Sequence, residues 1–374
     1  MPPSLSYPTH QTTPLRSSSL SPPQTSTVSP AMVIIESPEL RHLVPQLLTS
    51  DDKASSMALQ ITLFPNQGFC IGITTHHAIV DGSTAITFMK SWANLCTQLD
   101  KQDASLLPEL TPSFDRTVIK DPTGLYMVYL KNWLNYSGSD ISEVNQPSLK
   151  VYEDLGVNRN TIRATFKLSR EDVEKLREII LSRVEGTKPI KQPHLSTFVV
   201  TYSYVLICLV KARGREGNRN VNFMFPVDYR NRLGPSVPAN YFGNCIFLLK
   251  SIIKASALIE ENGIAIIAEK ISNMIREIDE KGLFDGAEGI LEDLMKMEAG
   301  DQTIGLAGSI RFNVYGVDFG WGRPKKIEIV SVEKTGAIAM AECRDGNGVE
   351  IGVVLSSHEM EIFKSFFVSG LQNL

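Results

Sequence analysis

No stretch of this 374-residue chain is apolar for long enough to cross a membrane. The nearest, residues 195–210, carries Ser196, Thr197, Thr201, Ser203 and two tyrosines, which fits a buried element of a globular core. There is no excess of positive charge. Lys and Arg number 37 against 41 Asp and Glu, so no field is built for nucleic acid. The five cysteines (70, 96, 208, 245 and 343) contain no CxxC pair. Such an odd, dispersed set speaks against a disulfide framework and predicts reduced thiols in a cytoplasmic setting. Histidine is scarce, six in all, and the G-x-S-x-G pattern of a nucleophile elbow is missing. Residues 1–30 hold no acid and, of Lys and Arg, only Arg16. A segment so rich in Ser, Thr and Pro buries too little apolar surface to offset its ordering entropy, so residues 1–31 are expected to be disordered. Seven prolines there argue against the amphipathic helix of a transit peptide.

What is present describes a globular chain, 43% apolar and 21% charged, with length enough for two domains. Residues 59–63 alternate as a half-buried strand, 64–68 read as a turn and 69–73 as a second strand, which predicts a hairpin. Ile86, Met89, Trp92 and Ala93 predict one face of a helix over 83–95. Residues 97–150 are loop-rich, with breaks at Pro108, Pro112, Pro122 and Pro147. A strand over 161–167 leads to Ser169, a candidate N-cap, and to a helix with the stripe Val173, Leu176, Ile179 and Ile180. The polar run 185–193, with Pro189 and Pro193, reads as a linker. Beyond it come a strand over 221–227, an amphipathic helix over 264–281, strands over 327–332, 337–342 and 349–355, and a closing helix over 359–371. This alternation predicts α/β layers with mixed sheets. The expected division is 32–182 for the first domain, 183–193 for the linker and 194–374 for the second domain.

Between the predicted hairpin and the first helix stands Thr75-His76-His77-Ala78-Ile79-Val80-Asp81-Gly82. A histidine on a turn beyond a strand is well placed for acid–base work near neutrality. The bland alternative is a hydrogen-bonded core histidine. His77 and Asp81 are four residues apart, which places them together on a helix but not across a strand-to-helix turn, so a dyad stays open. A metal shared between them would need two or three further ligands. His10, His42, His194 and His358 form no such pattern, and no metal is expected. Without a nucleophile elbow, a catalytic His77 would activate a substrate hydroxyl rather than a protein nucleophile. A second unusual stretch lies far along the chain, Asp318-Phe319-Gly320-Trp321-Gly322.

His77-Ala78-Ile79-Val80-Asp81-Gly82 resembles the H-x-x-x-D-G signature of the plant BAHD acyl-CoA acyltransferases. The stretch 318–322 is similar to that family's second signature. Tyr241-Phe242-Gly243-Asn244-Cys245 resembles a third motif, found in the branch that acylates sugars on anthocyanins and other phenolic glucosides. Chloramphenicol acetyltransferases and peptide-synthetase condensation domains share the first signature alone, whereas here all three occur in order. The resemblance covers about residues 35–374. It implies a two-domain, chloramphenicol-acetyltransferase-like layered fold, with mixed β-sheets flanked by helices and a channel through the domain interface. Acyl-CoA would enter as co-substrate from one side and the acceptor from the other, with no bound cofactor and the protein a monomer. It implies direct transfer without an acyl-enzyme, His77 taking the proton of the acceptor hydroxyl. Trp321, through its indole N–H, is a candidate donor to the oxyanion. Asp81, Gly82, Asp318, Gly320 and Gly322 are implied as structural support of the site. Asp81 would pair with an arginine, and Asp318 with Arg230. Ser196 and Thr197, just past the linker, and Arg323 and Lys325, just past Trp321, are implied for coenzyme A.

Malonyl-CoA is the favoured donor and hydroxycinnamoyl-CoA the alternative. A malonyl carboxylate favours an arginine fixed in the pocket. Arg163, inside a predicted strand, is the candidate, and its removal is expected to weaken use of malonyl-CoA far more than of acetyl- or coumaroyl-CoA. The simpler reading puts Arg163 on a solvent-facing polar side. Family members carry many more residues ahead of the catalytic histidine than the 76 here, so a shortened first domain is expected. That leaves a second reading, a catalytically inactive shortened relative that is either a binding protein or a non-functional fragment.

Overall fold

The computed structural model describes residues 16–19, 25–29, 32–36, 40–50, 52–100, 102–121, 123–137, 161–187, 192–214, 219–233, 237–281, 286–290, 292 and 301–372. The chain opens with three short strands, β1 (Arg16–Ser19), β2 (Thr25–Ser29) and β3 (Met32–Glu36). The first two fall inside the segment expected to be disordered. Ladder hydrogen bonds satisfy their backbone, β1 parallel to a partner at 60–63 and β2 antiparallel to β3. The rest of 1–31 lies outside the described residues.

β4 (Met57–Phe64) and β5 (Gly68–Thr75) form the antiparallel hairpin and lead into helix α1 (Gly82–Cys96). Together with β1 they make a three-stranded sheet in the order β1-β4-β5. The loop-rich stretch after α1 contains a helix the sequence pattern did not announce, α2 (Leu125–Ser137).

β6 (Thr161–Leu168) sits in a six-stranded mixed sheet. Its neighbours there are β3 and a strand from the far end of the chain. The following helix α3 (Arg170–Thr187) begins with a reciprocal cap. Ser169 Oγ accepts from Asp172 N at 3.1 Å, and Asp172 Oδ2 accepts from Ser169 N at 2.8 Å. Helix α3 runs through residues 183–187, which were expected to be linker. The cause is its buried stripe of Val173, Leu176, Ile180 and Val184, which continues one turn past the expected break. Residues 188–191 of the expected linker lie outside the described residues.

Helix α4 (Thr197–Ala212) is buried at every position from Val199 to Val210, which explains its apolar character all round. Strand β7 (Asn220–Asp228) is flanked by β8 (Ile246–Lys254) and β9 (Gln302–Ile304) in a second three-stranded sheet. Between them come α5 (Ala255–Ile259) and α6 (Gly263–Lys281). The chain then adds β10 (Leu306–Ala307), α7 (Val332–Thr335), β11 (Ile338–Glu342), β12 (Val349–Ser356) and α8 (Ser357–Gln372). The large sheet has the order β10-β11-β12-β6-β3-β2. The expected strand at 327–332 does not form. The Ile329 carbonyl there accepts from Arg163 instead of entering a ladder.

The largest core joins β6 and α3 to elements of the second half. Ala164, Phe166 and Leu168 of β6 and Val173 to Val184 of α3 pack with Val199 to Ala212, Val221 to Phe225 and Val349 to Phe367. Phe166 alone meets Phe363 and Phe367 at ring-centroid distances of 5.0 and 4.8 Å. Each such buried ring contributes about 2–3 kcal/mol. β6 and α3 share this core with elements that follow the expected linker at 183–193.

Candidate active site

The strand β5 stops at Thr75 because the chain turns on His76. His76 N donates to Ser56 O at 2.9 Å, and Ile79 N returns to His76 O at 2.9 Å. The His76 imidazole helps to close this turn, since its Nδ1 accepts from Ala78 N at 3.2 Å. The turn carries His77 outward. Its side chain is exposed, and among the described residues no hydrogen bond to its imidazole is recorded. Its carbonyl is held instead, accepting from Asn244 Nδ2 at 2.6 Å.

Asp81 anchors the turn from inside. It is 1% exposed and caps α1, accepting from Thr84 N at 2.8 Å. Its second oxygen accepts from Cys245 N at 2.9 Å and faces Arg230 Nη2 at 2.9 Å. Both oxygens are therefore committed to groups other than His77, and the pair forms no dyad. Arg230 is buried and spreads its guanidinium over several acceptors. Nη1 meets both Asp228 oxygens at 3.1 Å, while Nη2 reaches the Gly243 carbonyl at 2.9 Å and Thr84 Oγ1 at 3.0 Å. Burial works against this charge, but Asp81 and Asp228 outweigh it and hold the Arg230 pKa above its ordinary value. Burial also pushes the neighbouring Cys245 thiol up to about 11. The Thr84 hydroxyl donates to the Gly243 carbonyl at 2.9 Å. Residues 77–84, 228–230 and 241–245 are thus cross-linked between the two halves of the chain.

Arg230 was expected to serve Asp318, and it does not. Asp318 Oδ1 accepts from Gly320 N at 2.8 Å and Gly322 N at 2.9 Å, closing its own loop. Gly320 and Gly322 sit at φ of +98° and +95°, where a side chain is strained, so glycine is required at both. Gly82 has a different reason. It opens α1, and a Cβ on it would approach the Phe312 ring to 3.0 Å. Its missing side chain admits Phe312, whose carbonyl also accepts from Lys90 Nζ at 2.7 Å.

Trp321 does not join His77. Its ring lies edge-on to Phe69 at 5.4 Å, and Phe319 lies edge-on to Trp92 at 4.9 Å. Phe69 stands at the start of β5, and the six residues from it to Thr75 span about 20 Å of extended chain. The indole therefore packs at the end of the strand opposite to the His77 turn, and the expected oxyanion role has no geometric support. Arg163 is fully buried and already satisfied. Its Nη1 pairs with Glu328 at 2.8 Å, its Nε with Glu333 at 3.3 Å, and its Nη2 donates to the Ile329 carbonyl at 2.9 Å. It is neither a solvent-facing residue nor a receptor for a donor carboxylate. Ser196 caps α4, accepting from Val199 N at 3.3 Å, and Thr197 follows it, half-buried, in the first turn. Arg323 and Lys325 are exposed. Arg323 lines a cleft of about 380 Å³ with Lys167, Cys343, Arg344, Asp345 and Glu350, none of them part of the His77 unit. Sequence reasoning assigned no role to Asn244, Thr84 or His76. The motif 241–245 was the available signal for the first.

The model of the Transferase family matches residues 26–369. Phenolic glucoside malonyltransferase 1 of Arabidopsis thaliana is 42% identical over 344 residues, spanning 90% of this chain and 72% of that protein. The malonyl-CoA:anthocyanidin 5-O-glucoside-6''-O-malonyltransferase of the same plant is 41% identical over 340 residues, spanning 89% and 73%. Among solved structures, vinorine synthase shares the fold, with a TM-score of 0.60 and 20% identity over 89% of this chain and 71% of that one.

Proposed function

Since the chain belongs to the Transferase family of BAHD acyltransferases, we propose that it moves a malonyl group from coenzyme A to a sugar hydroxyl of a phenolic or flavonoid glucoside, anthocyanins included. Two relatives named as malonyltransferases of such glucosides support the donor and the acceptor class. Hydroxycinnamoyl-CoA is the alternative donor. The observation that carries the reading is an exposed imidazole, without a protein partner among the described residues, on a turn fixed by Asp81, Arg230 and Asn244.

In this reading His77 accepts the proton of the acceptor hydroxyl as that oxygen attacks the thioester carbonyl. The tetrahedral intermediate collapses with loss of the coenzyme A thiolate, which takes the proton back from the imidazolium. Asp81 does not share this proton. It holds the turn, so that the imidazole is pre-placed rather than ordered at each turnover. Thr197, with Arg323 and Lys325, supplies donors to coenzyme A. The enzyme works as a cytoplasmic monomer. No described helix is long and apolar enough to cross a membrane.

The openness of His77 favours a second reading. An exposed site gives water the same access to the thioester as the acceptor, whereas acyl transfer calls for water to be kept out. A catalytically inactive relative that binds acyl-CoA or the glucoside fits that observation. The test offers purified protein malonyl-CoA or coumaroyl-CoA with a flavonoid glucoside and follows acylated product by mass spectrometry. Conversion is expected, with a loss of about 10²–10⁴-fold in His77→Ala. No conversion by soluble, folded wild type would decide for the binding protein.

A further inference from the structure

The loop 111–117 and the stretch 241–245 run against each other beside the catalytic turn. Phe242 N donates to Ser113 O at 2.8 Å, and Ser113 N donates to Asn240 O at 3.0 Å. The same stretch reaches the catalytic turn through Asn244 on the His77 carbonyl, and the first turn of α1 through Gly243 on Thr84. Two aromatic rings meet here. Phe114 and Phe242 stand 5.1 Å apart between centroids, tilted by 43°. Phe114 is 61% exposed, an apolar ring left in water next to a reaction site.

The ledge is held rigid from below. Arg116 donates through Nη1 to the Phe242 carbonyl, and its guanidinium lies 5.1 Å from the Tyr241 ring centroid. A fixed aromatic pair loses little freedom when a further ring stacks on it. Two rings suit one small aromatic molecule; a protein partner would need about 800 Å² on each side. We infer that Phe114 and Phe242 are the platform on which the aromatic ring of the acceptor stacks while its sugar hydroxyl reaches His77. This rests on the proposed reaction for its acceptor, but the platform binds without catalysis.

The experiment therefore uses two readouts on the full chain. Calorimetry measures binding of an aryl glucoside and of methyl glucoside to wild type, Phe114→Ala and Phe114→Trp. Kinetics with malonyl-CoA measures KM for the aryl glucoside and for the donor in each variant. Wild type is expected to bind the aryl glucoside and to discriminate against methyl glucoside. Phe114→Ala is expected to weaken aryl glucoside binding and raise its KM by about threefold to tenfold, with the donor KM unchanged. Phe114→Trp should restore both. Phe114-dependent binding without turnover would leave the platform standing and remove the proposed reaction. Aryl glucoside binding that is absent in wild type, equal in Phe114→Ala, or matched by methyl glucoside overturns the platform, as does a donor KM that rises by the same factor.

Discussion

Arg163 loses all contact with water because three partners replace it, the carboxylates of Glu328 and Glu333 and the carbonyl of Ile329. Glu333 is itself 1% exposed and also receives Arg41 Nε at 2.8 Å. Removing Arg163 leaves buried Glu333 with half-exposed Arg41 as its remaining ion-pair partner and empties a fully buried site, so Arg163→Ala is expected to cost about 3–5 kcal/mol of stability, read from urea unfolding. The same variant should show no selective loss of malonyl-CoA over coumaroyl-CoA. A selective loss would return Arg163 to the donor pocket. Alternation in the sequence correctly sets Arg163 on the face opposite Ala164 and Phe166. What it cannot show is that residues 328–333, 165 positions away, fold over that face. Asn244 was illegible for the opposite reason. Its contact is with a backbone carbonyl, which carries no side-chain signature. Asn244→Ala should lower kcat about tenfold with little change in donor KM, because it loosens the placement of His77 and removes no substrate contact. An unchanged kcat would show that the turn holds itself.

Helix α1 is the element through which the two halves act on the site. Its N-terminus is fixed by Asp81 and Arg230, its middle by Lys90 on the Phe312 carbonyl, and its last turns by Trp92 against Phe319. Asp81→Ala removes a cap worth about 1 kcal/mol and leaves Arg230 buried with part of its charge uncompensated. Asp81→Asn keeps a side-chain acceptor for Thr84 N but not the charge. Thermal melts are therefore expected to rank wild type above Asp81→Asn above Asp81→Ala. Equal melting points for the two variants would mean that the cap contributes nothing beyond the ion pair. At this scale the sequence was most legible where a local period decided the outcome: the 57–75 hairpin, α1 and α6 follow from spacing. It failed where a distant partner decided. Residues 327–332 have strand-like composition, but Arg163 claims their carbonyl. Gly186 and Thr187 look like a break, but Val184 still has a core to reach.

At the scale of the molecule, the principal core binds β6, α3, α4 and α8 into one body with β7 and β12, so Cys208, which lies inside it, reports on global unfolding rather than on local fraying. Burial pushes three thiols up, Cys208 and Cys343 to about 12 and Cys245 to about 11, from an ordinary value of 9.0. Burial likewise raises Tyr229 to about 12 from 10.0. Below pH 9 these groups are protonated in the folded and unfolded chain alike, and their stabilising contribution is fully present. Above pH 9 the unfolded chain releases thiol protons that the folded chain keeps, so stability falls as pH rises toward the folded pKa values. Cys208, 2% exposed, contributes to that loss throughout the window. The midpoint of urea unfolding is expected to be level between pH 7 and 8.5 and to drop steadily from pH 9 to 11. In Cys208→Ala that drop should become shallower, even though the starting midpoint is lower from the lost packing. A midpoint that stays level to pH 11 in wild type, or a Cys208→Ala slope equal to wild type, would mean that the thiols reach water before the core opens.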